Sequence, residues 1–291
     1  MARILSTLPV PTVARTAALT ALAMVAFAAN SLLARAALKG TGIDAATFTL
    51  VRVAAAAAVL LLIVRMRRGA WRVAGDWVAA VALLAYACGF SFAYLRLPAG
   101  TGALVLFACV QATMIGDGLR RGDRLDAAQW LGVALALAGL VWLVLPGLQA
   151  PPPGATVLMA AAGVGWGVYS LRGRGAADAL SATAGNFVRA VPLAVAVGMA
   201  AWPQRAPDLQ GVAYAVASGA ITSGIGYVVW YAALRGLAST TAATVQLSVP
   251  VLAALGSIAW LGEPMTARLA SSAAAILGGI ALVIVSRRRS S

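Results

Sequence analysis

Residues able to do polar chemistry are few in this 291-residue chain, and most of them stand inside apolar runs. Gln246 and Pro250 lie four residues apart within "AATVQLSVPVLAALGSIAWLGEPMT" (242–266), so they share one helical face. An amide is costly in hydrocarbon unless it lines a wet cavity or bonds to a neighbouring helix. A proline frees a main-chain carbonyl, which is tolerated at membrane depth only where protein or water satisfies it again. The pair therefore lines a path for a polar solute, or it joins helices by hydrogen bonds.

Aromatic residues show similar spacing. Tyr86, Phe90 and Tyr94 recur at i, i+4 and i+8, Trp166 and Tyr169 share a face, and Tyr227, Trp230 and Tyr231 cluster. Such rings hold a small organic solute by stacking, cation–π attraction and hydroxyl bonds; the alternative use is core packing or anchoring at the lipid interface. Tyr94 and Tyr231, near the ends of their runs, are expected to take that alternative use, in core packing or as anchors. Trp166 and Tyr227, nearer mid-depth, are expected on a cavity wall.

The missing chemistry narrows the choice further. Histidine is absent, and Asp44, Asp76, Asp117, Asp123, Asp126, Asp178, Asp208 and Glu263 all fall in loops or at the ends of apolar runs. Neither a nucleophile with its base nor a metal-ligand cluster is visible, so hydrolysis or group transfer is not expected. Cys88 and Cys109 sit mid-run as small apolar residues, not as a metal pair. Lys39 is the only lysine, which excludes a G-x-x-x-x-G-K-[ST] phosphate loop and self-driven ATP hydrolysis. No cofactor and no metal are expected. Arg52 and Arg189 fall within apolar runs, where the expectation is that they snorkel or bond helix-end carbonyls. Glu263 and Asp123 are expected to be structural acids at helix starts.

The elements that must position these residues follow from composition. With 62% hydrophobic and 10% charged residues and a mean hydropathy of +0.91, the chain is an integral membrane protein. Apolar runs of about 20 residues cross roughly 30 Å of hydrocarbon as helices. Ten are expected, near 15–34, 46–64, 77–95, 99–117, 127–145, 155–171, 182–201, 210–233, 238–260 and 268–285. A single membrane domain, 1–291, leaves no room for an aqueous one. The net charge of +14 punctuates loops and forms no nucleic-acid face. Arg65, Arg67, Arg68, Arg72, Arg120, Arg121, Arg124, Arg172, Arg174 and Arg287–Arg289 fall on one side with Arg3, Arg15 and Arg235; the other side receives Arg35, Lys39, Arg96, Arg205 and Arg268. The positive-inside rule then puts both termini in the cytoplasm. A cleaved leader ending near "AFA" (26–28) is not expected, because nine spans would strand the "SRRRS" end outside.

The chain is expected to be an internal duplication. Displaced by 140 residues, "GDRLDAAQWLGVALALAGLVWLV" (122–144) falls on "GEPMTARLASSAAAILGGIALVI" (262–284), and "FAANS" (27–31) meets "WGVYS" (166–170) with nearly the same offset. Asn30 then matches Tyr169, while Phe107 and Gln111 match Gln246 and Pro250. Two five-helix units, 15–145 and 155–285, are joined by "LPGLQAPPPGA" (145–155). Five is odd, so the second unit enters the membrane inverted.

These residues resemble the drug/metabolite transporter superfamily in its EamA-type branch. The likeness covers about 15–285 and is stronger in the second half, since Phe27-Ala28 stands where Trp166-Gly167 stands in the repeat, and Gln111 where Pro250 does. The resemblance implies export of amino acids or other small metabolites, in a layout similar to that of bacterial aromatic amino acid exporters. The chain lacks the buried acid of the small multidrug cation pumps of that superfamily, and the basic cluster that would hold nucleotide-sugar phosphates.

The expected function is secondary export of a neutral or zwitterionic metabolite, amino acids foremost, by alternating access. A drug or other metabolite efflux carrier is the alternative, with a membrane-embedded enzyme behind it. Asn30, Tyr86, Phe90, Phe107, Gln111, Trp166, Tyr169, Tyr227, Gln246 and Pro250 are the expected substrate-binding set. The expected partners are the small-molecule substrate and the lipid bilayer, with no nucleic acid; the oligomeric state is left open by the sequence, a monomer being plausible. High Ala, Arg and Gly point to a GC-rich bacterial genome and the inner membrane.

Overall fold

Most acids that precede an apolar run become helix caps, which is why the loops carry them. In a computed structural model that describes residues 13–287 except 70, 72, 123, 148–149, 174–175, 202–206 and 238, the chain is all-α. The first helix, α1, runs Val13–Gly40. Asp44 opens α2 (Ala45–Arg68), accepting from the N–H groups of Ala46 and Thr47. Asp76 opens α3 (Trp77–Tyr94) through Ala79 N, and Pro98 precedes α4 (Ala99–Arg120). Asp126 and Gln129 form a reciprocal capping box on α5 (Ala127–Val144). After α6 (Pro153–Gly173), Asp178 caps α7 (Ala179–Ala200) and Asp208 caps α8 (Leu209–Leu234). The ninth helix, α9, is broken into Ser239–Gln246 and Ser248–Leu261, and α10 spans Ala267–Arg287. Side-chain acceptors at these caps satisfy N–H groups that a helix cannot satisfy itself.

Among the described residues, ten helices are long and apolar enough to cross a membrane, close to the expected spans. The main boundary difference is at α1, which continues to Gly40, so Arg35 and Lys39 are helical and not in a loop. Asp123 and the loop residues Arg3, Arg72, Arg174, Arg205, Arg288 and Arg289 lie outside the described residues.

Two spans are irregular. Pro250 has no N–H for the Gln246 carbonyl and its ring crowds that carbonyl; the α9 break at Leu247 sits beside it, with Leu247 N bonded instead to Thr244 O at 3.1 Å. In α8, residues Ala217–Ile225 form a π-helical stretch between two α-helical segments. A wide turn of this kind is rare and collects at functional sites. Gly219 lies inside it against α2, where a Cβ would stand 2.1 Å from the Arg52 carbonyl oxygen.

The helices pack in a definite set. α5 lies on α10, α3 on α6, α1 on α8, α4 on α6, α1 on α9, α2 on α7 and α8, α3 on α7, and α4 on α9. α5 and α10 meet where Gly132 and Gly279 each face the other's carbonyl, so a Cβ on either would lie within 2.5 Å of an oxygen. Backbones this close gain dispersion contacts that lipid cannot supply. Exposed Trp77, Trp130, Trp142 and Trp260 lie near span ends, as interfacial tryptophans do.

Candidate functional site

Six helices converge on one narrow hollow of about 30 Å³. α1 contributes Phe27, Asn30 and Ser31; α3 contributes Tyr86 and Phe90; α4 contributes Leu106 and Phe107. α6 supplies Trp166, the π-helical turn and following segment of α8 supply Thr222, Ser223 and Tyr227, and α9 supplies Gln246 immediately before its break. A mostly apolar wall with a few convergent polar groups is the usual form of a small-molecule site.

Of the residues expected from sequence, Asn30, Tyr86, Phe90, Phe107, Trp166, Tyr227 and Gln246 border this hollow. Gln111, Tyr169 and Pro250 are buried near it without bordering it. Tyr169 stacks behind Trp166 with ring centres 5.3 Å apart, and its hydroxyl donates to Thr183 Oγ1. Pro250 acts one turn away, at the break that presents Gln246.

Trp166 is the hub of the aromatic wall. Its ring lies 5.4 Å from Tyr227 at 16° and 4.9 Å from Tyr86 at 50°, and Phe27 closes on Tyr227 at 5.9 Å. Of the two uses expected for Tyr94 and Tyr231, anchoring or core packing, both take core packing. Tyr94 is wholly buried, with its ring edge-on to Phe90 at 4.7 Å, because the 86/90/94 stripe turns inward along its whole length. The Tyr231 hydroxyl is 2.9 Å from Thr183 Oγ1, also inside the bundle.

The polar groups form one chain. Asn30 Nδ2 donates to the Tyr86 hydroxyl at 3.1 Å, and Asn30 Oδ1 accepts from Ser218 Oγ at 2.7 Å and Thr222 Oγ1 at 3.2 Å. Tyr86 accepts a second bond, 2.8 Å, from Arg52 Nη2, which leaves its own hydroxyl proton free to donate. Arg52 does not snorkel. It is 2% exposed, with its guanidinium carbon 4.6 Å from the Phe90 ring centre and 5.1 Å from that of Tyr86. The sequence expectation for Arg52 is overturned because α2 is covered at this level by α3 and the π-helical turn, so no path to the interface exists. Arg189 does bond carbonyls, those of Gly185 and Ala74. Ser218, Thr222 and Ser223 were not among the expected residues; the "ASGAITSGI" run of small and hydroxyl residues in mid-span was the available signal.

Glu263 is structural, but not at the start of α10. It is buried, accepts from Arg35 Nε at 2.8 Å and from Ala99 N at 2.7 Å, and so caps α4. Outside the spans, Asp76 and Asp208 have carboxyls held below the usual range, Asp76 first by the Ala79 N–H and then by Arg172, Asp208 by the N–H groups of Gly42 and Gly211.

Residues 154–285 match the EamA-like transporter family. A protein of Pseudomonas aeruginosa, described as uncharacterized, is 52% identical over 274 residues, spanning 94% of this chain and 96% of its own length. The chain belongs to the EamA-like transporter family. A probable terminal-alkyne amino-acid exporter of Streptantibioticus cattleyicolor is 29% identical over 220 residues, 72% of this chain and 71% of that protein. A protein of known crystal structure shares the fold, with a TM-score of 0.67 at 22% identity over 94% of this chain and 97% of its own. This EamA-like protein is thus a multi-pass membrane transporter of small molecules and not an enzyme, and the hollow among its six helices is the candidate substrate site.

Proposed function

We propose that this EamA-like transporter exports a small zwitterionic or neutral metabolite, amino acids foremost, across a bacterial inner membrane by alternating access of two inverted halves. The observation that carries the reading is the hollow itself. Its six helices are three pairs of counterparts under the internal repeat, α1 with α6, α3 with α8 and α4 with α9. The nine most extensive helix packings also map onto one another when each helix is exchanged for its counterpart: α3–α6 becomes α8–α1, α4–α6 becomes α9–α1, and α2–α8 becomes α7–α3. A site on such an axis is met alike by two opposed gates, which is the arrangement that alternating access needs.

The wall suits an amino acid. Stacked Trp166 and Tyr227 offer ring faces to an ammonium or an aromatic side chain, and Asn30, Tyr86 and Gln246 offer polar bonds. The named exporter among the relatives supports the same class. Glu263, the one buried carboxylate among the described residues, is engaged by Arg35 and Ala99 and does not border the hollow. Facilitated diffusion down the substrate's own gradient follows.

Uptake by the purified protein in liposomes, screened over the common amino acids, tests this. Saturable counterflow of one or more is expected, and an imposed pH gradient adds no accumulation. Failure with the whole screen overturns the substrate class. Accumulation that a protonophore collapses overturns the facilitated mechanism.

A further inference from the structure

We propose that Arg52 is the anion receptor of this site, so that the transported solute must carry a carboxylate; this rests on the reading of the hollow as the substrate site. The argument begins with what the arginine lacks. A guanidinium stays protonated, and a buried charge without a counter-charge costs several kcal/mol. Arg52 is 2% exposed, and its Nη1 has no hydrogen-bond partner. Its one side-chain hydrogen bond goes to a neutral phenol, and the rest of its guanidinium lies over aromatic faces.

Buried arginines that serve structure look different in the same molecule. Arg35, 7% exposed, meets the Glu263 carboxylate and the carbonyls of Tyr94 and Leu95 at 2.8 to 3.1 Å. Among the described residues the other acids are spoken for at helix caps or in loop-side ion pairs, as with Asp76 and Arg172, Asp117 and Arg121, and Asp178 and Arg68. None is placed to neutralise Arg52. The two groups it does touch, Tyr86 and Phe90, are themselves wall residues of the hollow, so its charge lies one ring behind the substrate space.

A solute anion supplies what is missing. It takes Nη1 and, by displacing the Tyr86 hydroxyl, Nη2 as well, the two-nitrogen edge that fits a carboxylate. A phosphate dianion is a poorer fit, because no arginine or lysine borders the hollow and Arg52 alone stands behind its wall. The same geometry rejects organic cations that lack an anionic group, since they would meet an uncompensated positive charge. An amino acid satisfies both ends, its carboxylate on Arg52 and its ammonium over Trp166 or Tyr227.

The test compares L-phenylalanine with L-phenylalaninamide and phenethylamine, which keep the ring and ammonium but not the carboxylate, and with phenylacetate, which keeps only ring and carboxylate. Liposome counterflow on the unaltered protein is expected to carry L-phenylalanine and to be inhibited by phenylacetate, with the amide and amine at least about tenfold weaker, as loss of a charged hydrogen bond predicts. Arg52→Gln should abolish the discrimination and weaken L-phenylalanine by roughly 10- to 100-fold, with Arg52→Lys restoring part of it. Equal transport of the amide or amine by the unaltered protein overturns the proposal while the transporter reading stands, and needs no variant to fold. Retained discrimination in Arg52→Gln overturns it as well. No transport of any of the four by the unaltered protein overturns this inference, and the amino-acid reading falls with it only if the full amino-acid screen fails as well.

Discussion

Arg35 Nε and Glu263 Oε1 meet at 2.8 Å across 228 residues of sequence, and each partner also closes a helix end. Glu263 Oε2 accepts the first N–H of α4 at Ala99, while Arg35 Nη1 donates to the last carbonyls of α3 at Tyr94 and Leu95. Four segments, α1, α3, α4 and the α9–α10 turn, are thereby joined at one end of the bundle. Removing one partner of a buried pair leaves a charge uncompensated, so Glu263→Gln and Arg35→Met should each destabilise by about 3–5 kcal/mol. The double variant should lose clearly less than the sum. Additive losses in detergent unfolding would show that the pair is not coupled.

Trp166→Ala and Gln246→Ala should each lower counterflow by at least about tenfold; Gln246→Ala should change the unfolding temperature little, whereas Trp166→Ala also removes ring packing on Tyr86, Tyr169 and Tyr227 and should lower it. Asn30→Ala should lower both, since Tyr86, Ser218 and Thr222 all bond to that amide. A stable Asn30→Ala protein would mean that the network is replaced by water.

Gly219→Ala should cost about 1–3 kcal/mol, the range for forcing an extra carbon into a filled space, because its Cβ would meet backbone and not a yielding side chain. Gly116→Ala, with nothing within 4 Å, is the matched control and should be neutral. Equal unfolding temperatures for the two variants would rule out a tight α2–α8 approach.

Asp76 titrates below its ordinary value in the folded protein, so its contribution to stability is present above the unfolded-state pKa near 3.8 and is lost as pH falls through the lower, folded value. The Asp76→Ala variant should be less stable near neutrality by about 1 kcal/mol, a typical N-cap loss. Its difference from the unaltered protein should shrink below pH 4. A difference that stays constant to pH 3 would exclude the carboxylate as the cause.

With Cys88 and Cys109 replaced by Ala, single cysteines at Trp71 and Gly154 report orientation, as both positions are exposed. An impermeant thiol reagent on intact cells should label Gly154→Cys and spare Trp71→Cys. The reverse pattern would invert the assignment of the termini.

The spans were legible in the sequence because hydropathy is local, whereas Glu263, expected at the start of α10, caps α4 from a distance. The Gln246–Pro250 spacing likewise announced a broken helix, and the expected repeat set Asn30, Phe107 and Trp166 beside their counterparts. Tertiary structure decided which polar groups are satisfied. Arg35 and Arg52 are both arginines in apolar helices, and nothing nearby in sequence says that one finds a carboxylate 228 residues away while the other finds a phenol and two ring faces. The inward turn of Tyr94 and the π-helical turn of α8 were hidden for the same reason, since each is fixed by the helices packed around it.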